Sequence, residues 1–330
     1  MCNSHFRERT TCPCCGSATR NVLIELPFSE DPIRQYLREF YGKQGGVEFE
    51  YLHGATFAVA KCGECSLLYQ TQIGTDGLLA RLYNHWIDPS LARQRDEQRR
   101  KLGFYLGCVE EVVTVMNQIG KRPADCRLLD FGMGWAGWCQ TALGLGCRVF
   151  GHELANERID FARSRGIHVV AWDEIPDQRF DFINTEQVFE HLSEPRETLR
   201  HLVKSLEPTG LLKISVPDGT NVPHLLRTPD WTEPKDSPRS LNPIAPLEHI
   251  NCFNRAALLR LATDAGLEPV GLDWQTRIIV QRRSPDQSHF RSALREAKRL
   301  LFPAMRRRKP VPKPPLCQFF RRRRAEMLKN

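Results

Sequence analysis

Apolar and polar positions follow a regular alternation of short apolar runs and amphipathic segments through the second half of the chain. RLLDF, beginning at Arg127, reads as a buried strand, and GMGWAGWCQTALGLG follows as a glycine turn and a helix. RVFGHE, IHVVAW and RFDFINTE have strand character, while NERIDFARSRG and PRETLRHLVKSLEP place their apolar residues at helical spacing. GLLKISVP, GLEPVGLDW and TRIIVQRR predict three more strands, with the helix NRAALLRLATDAG ahead of the last two. Such alternation predicts an α/β fold, a parallel sheet with helices on both faces. Gly166, Gly210 and Gly266 stand where helices should stop, so C-caps are expected there.

The first fifth is patterned differently. NVLIEL, VEFEYL and TFAVAK are strand-like and predict a small separate sheet, and the stretch from Arg81 to Gly120 predicts a helical lead-in. The expected division is therefore a small domain over 1–78, a lead-in over 79–123, the α/β domain over 124–284 and a basic, flexible tail over 285–330.

Composition changes this picture in two places. With 41% hydrophobic and 26% charged residues among 330, the chain can bury a core, which excludes collagen-like and wholly disordered classes. The net charge of +8 is segregated: Arg295–Asn330 holds 13 Lys/Arg against 2 Asp/Glu, and the preceding 294 residues hold 34 against 37. The nearly neutral body gives no electrostatic reason to expect a polyanionic substrate. The tail is read first as a solubilising segment, then as a contact for an anionic membrane surface, and after that for nucleic acid. MCNSHFRERTTC lacks the apolar stretch of a secretory signal, and no run approaches the ~20 apolar residues of a spanning helix. A cytoplasmic location, with membrane association through the tail, is expected.

Twelve cysteines in a reducing compartment argue against a disulfide framework, and five of them cluster early. TTCPCCGS and AKCGECSLLYQ each offer a CxxC pair, Cys12 with Cys15 and Cys62 with Cys65. Two such knuckles complete a closed tetrahedral thiolate shell, which suits structural zinc. Cys14 is read as a spare, because an adjacent Cys14–Cys15 pair gives a worse bite. A redox dithiol or buried free thiols are the other readings.

The turn DFGMGWAG carries the remaining chemistry. Gly132, Gly134 and Gly137 permit a sharp strand-to-helix turn and close approach of a ligand to bare backbone. Asp130 stands where a carboxylate can receive an amino-bearing ligand, and Glu153 ends the next strand, where it can accept from both ribose hydroxyls. A nucleoside carrying an amino acid suits the pair better than a pyrophosphate does.

Residues Arg127 to about Arg283 resemble a class I S-adenosylmethionine-dependent methyltransferase. Its D/E-x-G-x-G-x-G motif is matched at Asp130, Gly132 and Gly134, with Ala136 in place of the third glycine, and its acidic strand end at Glu153. FDFINTEQVFEHLSEP and LEPTGLLKISVPD are similar to the family's later motifs, and PLEHINCFNRAALLRLATDAGLEPV resembles a segment of a subgroup acting on small molecules. The two knuckles resemble those ahead of the catalytic domain in bacterial sugar C-methyltransferases of the zinc-binding type, with Ser66 replacing the usual glycine.

The resemblance implies a seven-stranded Rossmann-like sheet, S-adenosylmethionine, structural zinc, and methyl transfer to a nucleotide-activated or surface-glycan sugar. It implies a donor site of Asp130, Gly132, Gly134, Glu153 and Leu154, with Trp172 and Asp173 at the adenine and Glu186 at the methionine part. Glu248 and His249 form the pair implied in deprotonation, with His249 as general base and Glu248 holding its ring or sharing its relay. In the other reading His249 merely packs its loop. Glu190–His191 matches a family signature and is read as structural or as lining the donor site. Tyr83, His85 and Trp86 fall where relatives cap donor and substrate. An RNA methyltransferase is the alternative function; NTEQ in place of an NPPY-like motif counts against it.

Overall fold

The computed structural model of the chain describes residues 4–272 and 315–323. Strands β1 (Phe6–Glu8), β2 (Arg20–Pro27), β3 (Thr56–Cys62), β4 (Leu68–Gln70) and β5 (Gln72–Gly74) make up the N-terminal part. Helices Pro89–Arg99 and Leu102–Ile119 form the lead-in. Strands β6 (Arg127–Phe131), β7 (Arg148–His152), β8 (His168–Val169), β9 (Phe180–Glu186) and β10 (Leu206–Val216) then alternate with helices. The remaining strands are β11 (Asn251–Cys252), β12 (Leu267–Val270) and β13 (Leu316–Arg322).

The main sheet has seven strands in the order β12-β13-β10-β9-β6-β7-β8. From β10 to β8 all neighbours are parallel, whereas β13 runs antiparallel to both β10 and β12. Six of the seven residues of β9 are buried, as expected of a central strand covered on both faces. The helix Leu102–Ile119 packs Cys108, Val112 and Val115 with Leu128, Phe182 and Phe319. No described helix is long and apolar enough to cross a membrane.

The boundary expected at residue 78 does not separate two cores. β11 completes the N-terminal sheet, whose order is β11-β4-β3-β2. Cys12, Cys62 and Cys65 share one apolar cluster with Leu129, Ile183, Phe253 and Leu258. A strand from the second half thus belongs to the N-terminal sheet, and the cysteine knuckles share their apolar packing with the main sheet.

Other expectations need correction. Leu316–Arg322 lies inside the segment read as a flexible tail, yet it is a sheet strand with Phe319 and Phe320 buried. The count of arginines around CQFF hid an apolar pair suited to a core. The rest of 285–330 and the expected strand TRIIVQRR lie outside the described residues. VEFEYL does not form a strand; Phe49–Leu52 is a short 3-10 turn that buries Leu52. Gly210 caps no helix, because the preceding helix stops at Ser205 and Leu206 already pairs with Phe180. Gly166 and Gly266 follow their helices with φ of +78°, the left-handed end that glycine favours.

Candidate active site and cysteine cluster

The loop after β6 turns sharply through Gly132 (φ +77°) and Gly134 (φ +53°) into the helix Gly137–Gly144. A Cβ on Gly134 would meet nothing within 4 Å, so its backbone faces open space. Beside it, the Glu153 carboxylate accepts from the Gly134 amide at 3.0 Å and from the Leu154 and Ala155 amides at 2.8 and 3.2 Å. Arg158 approaches the same carboxylate at 3.5 Å. The structure thus brings Glu153, Leu154 and the glycine turn together at one rim, where the Leu154 side chain is 85% exposed.

Asp130 is not at that rim. It is 4% exposed, with one oxygen accepting from Asn184 Nδ2 at 2.8 Å and the other from Cys139 Sγ at 3.4 Å. Burial pushes its carboxyl up to about 6. Asp130 braces β6 against β9 and offers no open carboxylate, which corrects the expectation of an amino-bearing ligand there.

Trp172 and Asp173 lie in the turn beyond β8, both exposed. The Trp172 ring stacks on His201 with centroids 3.8 Å apart and planes 9° apart. At the end of β9, Glu186 accepts from Ser215 Oγ at 2.7 Å and pairs with Lys213 Nζ at 2.7 Å. Lys213 also pairs with Glu111 at 2.7 Å. Burial works against its charge, but the two carboxylates outweigh burial and raise its basicity. Sequence reasoning passed over Lys213, although a lysine inside the apolar run GLLKISVP was a readable signal.

The second group of candidate side chains gathers where the loop after β9 meets the segment before β11. His249 is buried, and its Nδ1 faces the Asn242 carbonyl. A carbonyl only accepts, so Nδ1 carries the proton and Nε2 keeps its lone pair. His191 repeats the pattern: Nδ1 lies 2.9 Å from the Glu248 carbonyl, with Tyr83 Oη at 3.3 Å. The two rings approach edge to face at 4.8 Å between centroids. Burial lowers His191 to about 4, and burial followed by the His191 and Lys235 charges takes His249 well below its ordinary value. Both are neutral imidazoles at neutral pH.

Glu248 does not hold the His249 ring. Its carboxylate accepts from Tyr41 Oη at 2.8 Å, on the side of the N-terminal helix Ile33–Gly42. Adjacent residues diverge here because His249 turns toward Asn242, so Glu248 acts on the cluster through its backbone carbonyl. Glu190 is 1% exposed, and neither carboxylate oxygen has a hydrogen-bond partner among the described residues. Burial pushes it up to about 8, and the Glu186 charge adds to the shift.

Beside this group a cavity of about 290 Å³ is lined by Glu186, Gln187, Asp218, Asn221, Lys235 and Asn242, among others. The proline-rich stretch before Glu248 forms much of its wall and anchors itself through buried Leu241, Ile244 and Leu247.

Far from this cleft in sequence, the four knuckle cysteines converge. Their sulfurs all lie within 4.8 Å of one another, with Cys12–Cys65 at 3.6 Å and Cys15–Cys62 at 3.5 Å. A tetrahedral zinc–thiolate shell with bonds of about 2.3 Å needs sulfurs roughly 3.8 Å apart, so the donor set fits. The Glu64 and Cys65 amides donate to Cys62 Sγ at 3.4 and 3.5 Å. The Cys65 thiol, then burial, push the Cys12 thiol up, the expected state when no cation balances the thiolates. Cys14 turns away and donates to the Ala257 carbonyl at 3.3 Å.

A family model for a methyltransferase domain matches residues 84–272. The chain belongs to this methyltransferase family. It is an S-adenosylmethionine-dependent enzyme with the seven-stranded Rossmann-like sheet of the class I fold. No curated protein sequence matches the methyltransferase. Among solved structures it is similar to the plantazolicin methyltransferase BamL, at 14% identity over 74% of this chain and 93% of that one, with a TM-score of 0.47. It is also similar to a TehB-like methyltransferase from Corynebacterium glutamicum, at 16% identity over 72% and 100% of the two chains, with a TM-score of 0.42. The magnesium protoporphyrin IX methyltransferase from Synechocystis matches at 13% identity over 60% and 91%, with a TM-score of 0.43.

Proposed function

We propose that this methyltransferase moves the donor methyl group to a small polyhydroxylated acceptor, a nucleotide-activated or surface-glycan sugar. The glycine turn holds the donor, with Gly132 and Gly134 approached through backbone and Glu153 accepting from the ribose hydroxyls. Leu154, Trp172 and Asp173 surround the adenine, and Glu186 faces the methionine part. The polar lining of the adjoining cavity supports a hydroxyl-rich acceptor, and Lys235 there suits the phosphate of an activated sugar.

Methyl transfer from a sulfonium is an in-line displacement, so alignment of donor and acceptor supplies much of the rate, about 7–11 kcal/mol in favourable cases. A hydroxyl or carbon acceptor must also lose a proton. The observation that carries the proposal is His249, a buried neutral imidazole whose Nδ1–H is fixed on the carbonyl of Asn242, itself a wall residue of the cavity, which leaves the Nε2 lone pair unprotonated. His249 promotes proton loss through that lone pair, as a general base in the simplest form. His249→Ala should lose methyl transfer by a factor of about 100 or more while keeping S-adenosylmethionine affinity. Near-normal turnover in that variant would defeat the assignment.

The four knuckle cysteines are proposed to hold one structural zinc. It would allow four thiolates to coexist and would join β3 to the N-terminal turn beside the main core. Elemental analysis should find one tightly held zinc per chain, lost in Cys62→Ser.

A further inference from the structure

We propose that Glu190, His191 and His249 form a second metal site, for a divalent transition-metal cation beside the acceptor. One ligand atom from each lies within 4.8 Å of the others, and Glu190 Oε1 is 4.0 Å from His191 Nε2. The site is separate from the cysteine cluster and draws on the loop after β9 and the segment before β11.

Three features point to a cation. Both imidazoles have Nδ1 held by backbone carbonyls, of Glu248 and Asn242, which leaves both Nε2 lone pairs available. A ring N–H fixed on a carbonyl is the usual outer partner of a metal-ligating histidine. Glu190 supplies the third feature: a buried carboxylate whose two oxygens have no partner among the described residues. A buried polar group left unpaired is unfavourable, and a cation would satisfy it. A hydrogen bond from a protonated Glu190 to His191 does not explain the arrangement, since 4.0 Å is too long. Closure by roughly 1 Å would bring the three atoms onto one ion with bonds of about 2.0–2.2 Å.

The surrounding charges are mixed. Lys235 acts on all three residues, and Glu186 repels Glu190. Two imidazoles and one carboxylate favour manganese, iron, cobalt or zinc over magnesium and calcium, which prefer oxygen shells. Three protein ligands leave open positions for the acceptor. This role rests on the methyl-transfer reading and refines it: His249 spends its lone pair on the ion. An acceptor hydroxyl bound to the ion loses its proton to solvent and its oxygen attacks the sulfonium methyl. The carbon–sulfur bond breaks with its electrons kept by sulfur, giving a methyl ether and S-adenosylhomocysteine.

Titration of the full chain with Co²⁺, followed by absorption spectroscopy, tests the site. Nitrogen–oxygen coordination gives d–d bands without the thiolate charge-transfer bands of a cysteine site, so the two sites are read separately. Wild type should bind one Co²⁺ with d–d bands only. Glu190→Gln and His249→Ala should each weaken it by more than the roughly 10–100-fold that loss of an outer partner costs. Should Glu190→Gln fail to fold, as judged by S-adenosylmethionine binding, His191→Ala gives the same reading. Absence of such bands in wild type, or equal affinity in the variants, would overturn the site. Cobalt binding without effect on turnover would overturn the role assigned to the ion. Failure of S-adenosylmethionine to bind wild type would instead overturn the methyl-transfer reading, while the spectra decide the site by themselves.

Discussion

Four non-glycine residues among those described hold left-handed backbone: Ser66, Ala136, Gln187 and Leu247, with φ of +63°, +57°, +54° and +70°. Each sits beside a candidate site: the second cysteine knuckle, the glycine turn, the end of β9 and the Glu248–His249 pair. Left-handed backbone costs an L-residue about 1–2 kcal/mol, a strain that serine bears at position 66 and glycine would not. Ser66→Gly should therefore raise stability by about 1 kcal/mol, measured as an increase in the urea midpoint. Asp130 gives a pH prediction. Burial holds its carboxyl at about 6 in the folded chain, above its ordinary 3.8, so the folded state binds more protons between those values. Its contribution is complete below pH 4 and is lost as pH rises through about 6. Asp130→Asn should flatten that part of the stability profile, measured by urea unfolding from pH 4 to 7. The site was partly legible at this scale. Glu153 meets the glycine turn and the four cysteines meet one another as their motifs implied, because each motif names its own residue types even across the 53 positions from Cys12 to Cys65. Asn184 at Asp130, Tyr41 at Glu248 and Glu111 at Lys213 come from other strands and helices, and no motif names them.

At the scale of elements, β13 is the main departure from the sequence pattern. The central parallel strands β6, β9 and β10 were readable because each buries an apolar run. β13 offers only LCQFF before its arginines, and its place between β10 and β12 follows from antiparallel pairing that no local pattern specifies. Its basic residues are used by the fold: Arg321 pairs with Glu268 at 2.7 Å, and Arg323 donates to the Leu267 carbonyl at 3.2 Å. Phe320 is fully buried, so Phe320→Ala should cost about 3–5 kcal/mol, read from the urea midpoint. A change within about 0.5 kcal/mol, typical of surface sites, would return this segment to the status of a tail.

Across the described residues, the cysteine knuckles, the main sheet and the loop that carries His249 form one connected structure. β11 pairs with β4 immediately after the Glu248–His249 pair, and Gln70 on β4 donates to the His249 carbonyl at 3.1 Å. The N-terminal part therefore fixes the segment that carries His249. Stripping metal from the cysteine cluster should reduce methyl transfer as well as local stability, and calorimetry should show one unfolding transition, not two.

The nearly neutral body and the polar cavity support the proposed small acceptor, and this can be measured directly. Labelled S-adenosylmethionine should be incubated with the full chain and, in parallel, with a panel of nucleotide sugars and a folded RNA. Label is predicted in the nucleotide-sugar fraction, absent from the RNA, and lost with His249→Ala. Label in the RNA with none in any sugar would contradict the account.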